Sequence, residues 1–199
     1  IAALKPNYLP TFVLIPAFAT LVMAFIRMAL AIRDAKHVTT ERELARTDEL
    51  TGLPNRRRFL SELDLLIRRE GTLLILDLNG FKQINDRYGH EVGDQLLKQV
   101  ATRFSRSLAP DVLLARLGGD EFGAIIYGPA QLGREASLAI RSTLSYPFSL
   151  SVGDVSIGVA IGAAENNESI KSKEDLLRAA DGAMYEAKRS GPGLVERGK

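Results

Sequence analysis

The longest uncharged stretch of the chain runs from Pro6 to Ile26. As a helix rising about 1.5 Å per residue, it would roughly match a hydrocarbon core of about 30 Å. The pattern predicts a membrane-spanning helix. Arg27 interrupts it, yet Met28 to Ile32 are apolar again, so the helix can run on with Arg27 snorkelling to the headgroups. The flank carries Arg27, Arg33 and Lys36, which by the positive-inside rule places everything downstream in the cytoplasm. Pro10 and Pro16 can kink such a helix without excluding it. Asp34 to Thr47 is polar and rich in helix formers, with Val38 and Leu44 as its sizeable apolar residues. It reads as a helical connector or a solvated linker, too short to establish a coiled coil.

Beyond Asp48 the pattern alternates between helical and extended periods. A helix is expected from about Arg56 to Arg69, followed by a compact apolar strand, Leu73 to Leu76, that ends at Asp77. A helix from about Glu91 to Leu108 precedes two apolar runs, Leu113 to Arg116 and Phe122 to Tyr127, which close on Gly118-Gly119 as a β-hairpin. A third helix, about Gln131 to Ser145, leads to a second expected hairpin, in which Phe148 to Val152 and Val155 to Ile161 flank Gly153-Asp154. The last helix starts near Lys173 and carries Leu176, Leu177, Ala180, Ala183, Met184 and Ala187 on one face, with Tyr185 also assigned to the core. The sum is an α/β fold, a mixed central sheet flanked by helices.

Composition narrows the function classes. At 199 residues, 46% hydrophobic and 25% charged, the chain is long enough for one sizeable domain plus an appendage. The formal net charge is +2 and the basic residues are dispersed, so no nucleic-acid footprint is visible. Cysteine is absent, which removes disulfides and thiolate sites and leaves oxygen or imidazole to hold any metal.

Two segments stand out chemically. Asp77 closes an apolar strand, the place where open α/β sheets collect ligands, and Asp77 to Asp86 continues as a Gly-containing turn entering a helix with Lys82. Free backbone N–H groups and a lysine there can cradle phosphates. Asp77 alone could equally cap the next turn. In Arg116 to Gly123, two glycines permit a tight turn, and Asp120 and Glu121 at its tip could bind a hard divalent cation or simply keep the turn soluble. Asp77 paired with Asp120 across neighbouring strands would make a two-carboxylate site with a backbone carbonyl as a further oxygen.

Gly118-Gly119-Asp120-Glu121-Phe122 matches the signature of the GGDEF family, and four further blocks resemble that family in order. They are Asp48 to Arg57, Asp77 to Asp86, Tyr88 to Asp94, and Ala180 to Lys188. The resemblance implies a nucleotide-cyclase (palm-like) fold over residues 48–191, after a membrane helix with flanks (1–33) and a linker (34–47), and before a tail (192–199). It also implies a diguanylate cyclase that condenses two GTP into cyclic di-GMP with Mg²⁺, or Mn²⁺ in its place. Asp77, Asp120 and the Leu78 carbonyl match the metal ligands, and Glu121 the second acid of the signature. Asp120 also matches the residue that helps to deprotonate the attacking 3′-hydroxyl, and Lys82 the stabiliser of phosphate charge. Asn85 and Asp94 match the residues that read guanine, with His90 and Phe81 beside the nucleotide and Lys188 a further phosphate-facing lysine. His90 on its own residue chemistry could instead cap a helix, and Asn85 and Asp94 could serve as caps or turn residues. Met184 and Tyr185 are expected as core rather than contacts, and Arg56 to Arg58 as a solvated or dimer-contacting helix start.

Each domain would hold one GTP, so the resemblance implies a two-fold homodimer, attached to the inner membrane of a bacterium with the domain in the cytoplasm. The chain departs from the family in two respects. Pro192 stands where an arginine commonly helps to hold phosphate, so that either phosphate binding is weaker or Arg189 substitutes. Ala109 and Val112 stand where many relatives carry the Arg and Asp of a product-inhibition motif, so that feedback is expected to be absent. The same resemblance admits a second reading, a catalytically silent domain that binds GTP and regulates an attached domain such as a phosphodiesterase.

Overall fold

The computed structural model describes residues 18, 20–31, 46–189 and 194–197. The chain divides into two units, Ile1–Ala45 and Arg46–Lys199. In the first unit, residues 20–31 are helical and Leu21, Met23 and Phe25 are exposed. Most of the stretch from Pro6 to Ile26 and of the linker lies outside the described residues. Among the described residues no helix is long and apolar enough to cross a membrane.

The second unit opens with helix α1 (Arg56–Leu66), set by Asn55, whose backbone is extended and whose side chain accepts the Arg58 N–H at 3.1 Å. Phe59, Leu63 and Leu66, spaced by about one turn each, bury its inner face. Strand β1 (Gly71–Asn79) follows, then α2 (Phe81–Tyr88), α3 (His90–Ser107), β2 (Leu113–Gly118), β3 (Glu121–Tyr127) and α4 (Ala130–Thr143). The remainder is β4 (Phe148–Leu150), β5 (Gly153–Val155), β6 (Gly158–Glu165), α5 (Lys173–Arg189) and β7 (Leu194–Arg197). The main sheet has the order β2-β3-β1-β6-β7, antiparallel throughout except for the parallel pair β6 and β7. This is the mixed sheet that the sequence pattern predicts.

Helices cover both faces, which is why β1 reads as a continuous apolar run and not as an alternation. On one face, Leu74, Leu76, Leu78 and Phe122 pack with Leu96, Val100 and Phe104 of α3 and Ile140 of α4. Phe104 meets Phe122 edge to face at 5.6 Å between centroids. On the other face, Leu73, Ile75 and Ile125 pack with Phe59 and Leu63 of α1 and with Leu176 and Ala180 of α5. Each fully buried side chain of this kind contributes roughly 1.5–3 kcal/mol by burial. The closeness of α5 depends on Gly162 of β6, where a Cβ would overlap the Ala180 carbonyl and the Met184 backbone.

The turn after Asp77 enters a helix, residues 81–88, as expected, and Gly89 separates it from α3 with φ 85°. Three expectations are corrected. The second hairpin is shorter than predicted: only Gly153–Val155 pairs with β4, while Gly158–Glu165 joins β1 in the main sheet. Residues 194–197, assigned to a tail, add a strand to that sheet. Tyr185 is 61% exposed with the Arg189 guanidinium over its ring at 5.9 Å, because it lies on the outer side of α5; Met184 does pack against the core.

Candidate functional site

The register of the central strands assembles the acidic part of the site. Asp77, the seventh residue of β1, stands directly opposite Glu121, the first residue of β3, so the two side chains share a face as neighbours. The next residue, Leu78, donates its N–H to the Asp120 carbonyl at 3.3 Å. N–H and C=O of one strand residue point to the same side, so the Leu78 carbonyl also faces the turn that carries Asp120. That turn is made possible by Gly118 and Gly119, at φ 144° and 54°, the second of which is left-handed backbone that costs any other residue strain.

Asp77 is only 7% exposed. Its Oδ1 lies 2.8 Å from the Lys188 ammonium of α5, yet the approach lacks hydrogen-bond geometry and the buried oxygen accepts no hydrogen bond. A buried carboxylate oxygen balanced by charge alone, next to a second acid and a backbone carbonyl, is a hard-oxygen donor set that fits Mg²⁺. No group of three or more His, Asp or Glu side chains converges among the described residues, so water would complete the shell, as Mg²⁺ favours.

The second part of the site begins where β1 ends. Gly80 takes φ 83°, and α2 then starts at Phe81 with its first backbone N–H groups directed outward and Lys82 exposed in the first turn. Asn85 is one turn further on, with its Oδ1 buried and without a partner. Across from it on α3 is Gly93, where a Cβ would overlap Asn85 Oδ1. Asp94 is exposed and follows Gly93, and His90, exposed at the start of α3, lies four residues before Asp94 and so on the same helix face. Gly89, not His90, takes the capping position. The Phe81 side chain is 7% exposed and packs in the core.

Sequence reasoning missed what holds the signature turn. Arg116 of β2 donates from Nε and Nη2 to the Gly119 carbonyl at 3.0 and 2.8 Å, and from Nη1 to both Asp48 oxygens at 3.1 and 3.2 Å. One guanidinium thus clamps the turn to the loop before α1, and the Arg116 N–H adds a bond to the Pro54 carbonyl at 2.9 Å. The available signal was a charged residue closing the apolar run Leu113-Leu114-Ala115, since a strand arginine with a side chain only 12% exposed needs partners. A further link joins the first and last blocks: burial raises the Asp181 carboxyl on α5, and the nearby Arg56 guanidinium draws it partly back.

The geometry matches a known family. The description "Diguanylate cyclase, GGDEF domain" covers residues 45–193. The chain belongs to the GGDEF family. The probable diguanylate cyclase DgcC of Escherichia coli is 31% identical over 195 residues, 94% of this chain and 52% of DgcC. The cyclic di-GMP phosphodiesterase PdeR of the same organism is 38% identical over 157 residues, 76% of this chain and 24% of PdeR. The chain therefore spans about half of one relative and about a quarter of the other. Among solved structures, the GGDEF domain of DgcB from Caulobacter crescentus in complex with c-di-GMP superposes with a TM-score of 0.71 at 33% identity, over 76% of this chain and 95% of that one. The GGDEF signature here is the β2–β3 turn, with Glu121 opposite Asp77 and the Asp120 carbonyl bonded to Leu78 at the end of β1.

The Asp48 clamp makes a pH-dependent contribution. Burial raises the Asp48 carboxyl, but the Thr51 hydroxyl and backbone N–H, at 2.6 and 2.9 Å, and the Arg116 guanidinium outweigh it, so the net shift is below the ordinary value of 3.8. A depressed folded-state value stabilises the fold above the unfolded value and loses that stabilisation as pH falls through the folded one. Asp48→Asn should therefore be less stable than the parent in urea at neutral pH, by about 1–3 kcal/mol, and the gap should close as pH falls below 3.8. An equal gap at both pH values would count against the clamp.

Proposed function

We propose that this GGDEF domain is an active diguanylate cyclase, joining two GTP molecules as cyclic di-GMP with release of two pyrophosphates. The observation that carries the reading is the buried, charge-balanced Asp77 beside Glu121 and the Asp120 turn, with Lys188 against it and the α2 N-terminus next along the chain. In each half-reaction the 3′-oxygen of one GTP attacks the α-phosphorus of the other, a phosphodiester bond forms, and the bond to pyrophosphate breaks. Asp77, Asp120 and the Leu78 carbonyl would hold Mg²⁺, with Glu121 assisting through a bound water, and the ion when bound supplies Lewis-acid polarisation of the phosphate and a lower hydroxyl pKa.

The remaining chemistry belongs to the chain's own residues. Asp120 takes the proton from the attacking hydroxyl. Lys82, exposed in the first turn of α2, and Lys188 offset the charge that develops on the phosphate oxygens, with outward N–H groups of α2 as further donors. Asn85 accepts and donates at the guanine edge and Asp94 accepts from its N–H groups, a pattern that adenine does not complement. His90 contacts the same nucleotide from the face it shares with Asp94. A domain that holds one GTP must meet a second copy to bring the 3′-oxygen to phosphorus, so the active form is a two-fold dimer.

We also propose that residues 6–26 anchor the chain in a bacterial inner membrane with the GGDEF domain on the cytoplasmic side. The uncharged stretch and its basic flank support this. Deleting residues 1–33 should move the protein from the membrane pellet to the supernatant; a full-length chain already in the supernatant would oppose the anchor.

The match to a quarter of PdeR favours a second reading, a GTP-binding domain that regulates an attached phosphodiesterase. Pro192, outside the described residues, stands where the family's phosphate-binding arginine is expected. The two readings separate in one assay: residues 34–199 fused to a dimerising zipper, supplied with GTP and Mg²⁺, beside Asp120→Asn. Cyclic di-GMP from the parent, none from Asp120→Asn and none after chelation of Mg²⁺ is the expected result. GTP binding without product from the parent would favour the regulatory reading, with Pro192→Arg as the variant expected to restore activity.

A further inference from the structure

Asn85 has no protein partner for its buried Oδ1. Its side chain is therefore not held by a hydrogen bond to that oxygen, and what surrounds it must set its direction. Phe81 and Asn85 are four residues apart on α2 and share a face. Opposite both is Gly93, in the first full turn of α3. A Cβ at Gly93 would overlap Asn85 Oδ1, lie 3.0 Å from Asn85 Cγ and come within 3.2 Å of Phe81 Cζ.

A glycine inside a helix costs about 1 kcal/mol relative to alanine, and Gly93 has an ordinary helical backbone, so conformational freedom does not explain it. The close approach of Asn85 does. We propose that Gly93 is a positioning residue: the missing side chain is the slot that receives the Asn85 carboxamide and aims it at the base of the bound nucleotide. This rests on the reading of the domain as a GTP site and adds the element that orients its base-reading amide.

The neighbours determine what a side chain at 93 would do. Phe81 belongs to the hydrophobic core and is held by its packing there. Asn85 is the end of a short side chain at the edge of solvent and can turn about χ1 and χ2. Gly93→Ala should therefore expel the Asn85 carboxamide from its slot while leaving the core and the rest of the helix pair in place. Asp94 and the acidic cluster at Asp77 should keep their positions.

The test is a double-mutant cycle on the intact chain, with 3′-deoxy-GTP as the probe. This analogue lacks the attacking hydroxyl and so reports binding without turnover. Calorimetric titration is compared for the parent, Gly93→Ala, Asn85→Ala and Gly93→Ala/Asn85→Ala. Gly93→Ala should weaken binding by about tenfold, as the loss of a hydrogen bond to a base does, and narrow the preference for 3′-deoxy-GTP over 3′-deoxy-ATP. The double variant should bind no more weakly than Asn85→Ala, because the slot matters only when the amide is there to fill it. Equal penalties from Gly93→Ala in both backgrounds would assign Gly93 a general packing role and overturn the proposal, as would parent-like binding by Gly93→Ala. Failure of the parent itself to bind the probe would overturn the nucleotide reading first, and this proposal with it.

Discussion

The antiparallel pairing of β1 with β3 is the constraint on which the site depends. It sets Asp77 opposite Glu121 and brings the Leu78 N–H to the Asp120 carbonyl, so acids separated by more than forty residues in sequence share one end of the sheet. Because side chains alternate along a strand, a slip of one residue would turn Asp77 toward the α3 face and Leu76 toward α5. The two buried faces prevent that slip. Leu74, Leu76 and Leu78 are matched to α3 and α4, and Leu73 and Ile75 to α1 and α5. The core that stabilises the domain is thus also what aims its charge.

Around that register the chain uses close approach repeatedly. Gly162 admits α5, the helix that carries Lys188 to Asp77, and Gly93 admits the Asn85 amide. Arg116 ties the signature turn to Asp48 at the start of the domain. These contacts fix the backbone of the signature turn, while the Asp77 and Asn85 oxygens are left buried without a hydrogen bond.

Much of this was legible in the sequence. The β2–β3 hairpin followed from two apolar runs about Gly118-Gly119, and Asp77 at the end of an apolar strand stood out as a candidate ligand position. The family blocks imply nucleotide contacts for Lys82, Asn85, His90, Asp94 and Lys188. What the pattern could not show were choices made by tertiary contact. Strand β6 was merged with β5 because the apolar run crosses both. Tyr185 was assigned to the core with the apolar face of the last helix, whereas the packing of α5 leaves it outside. The roles of Arg116 and Gly93 depend on partners distant in sequence or on space left empty, and neither has a periodicity.

The most direct measurement of the central claim is a crystal structure of the domain with Mg²⁺ and the GTP analogue that cannot react. The account places the guanine between Asn85 and Asp94, the phosphates along the first turn of α2 near Lys82, and the metal between Asp77 and the Asp120 turn. A nucleotide bound away from α2, for example in the groove lined by Leu108, Asp111 and Tyr127, or a metal that leaves Asp77 paired with Lys188, would contradict it.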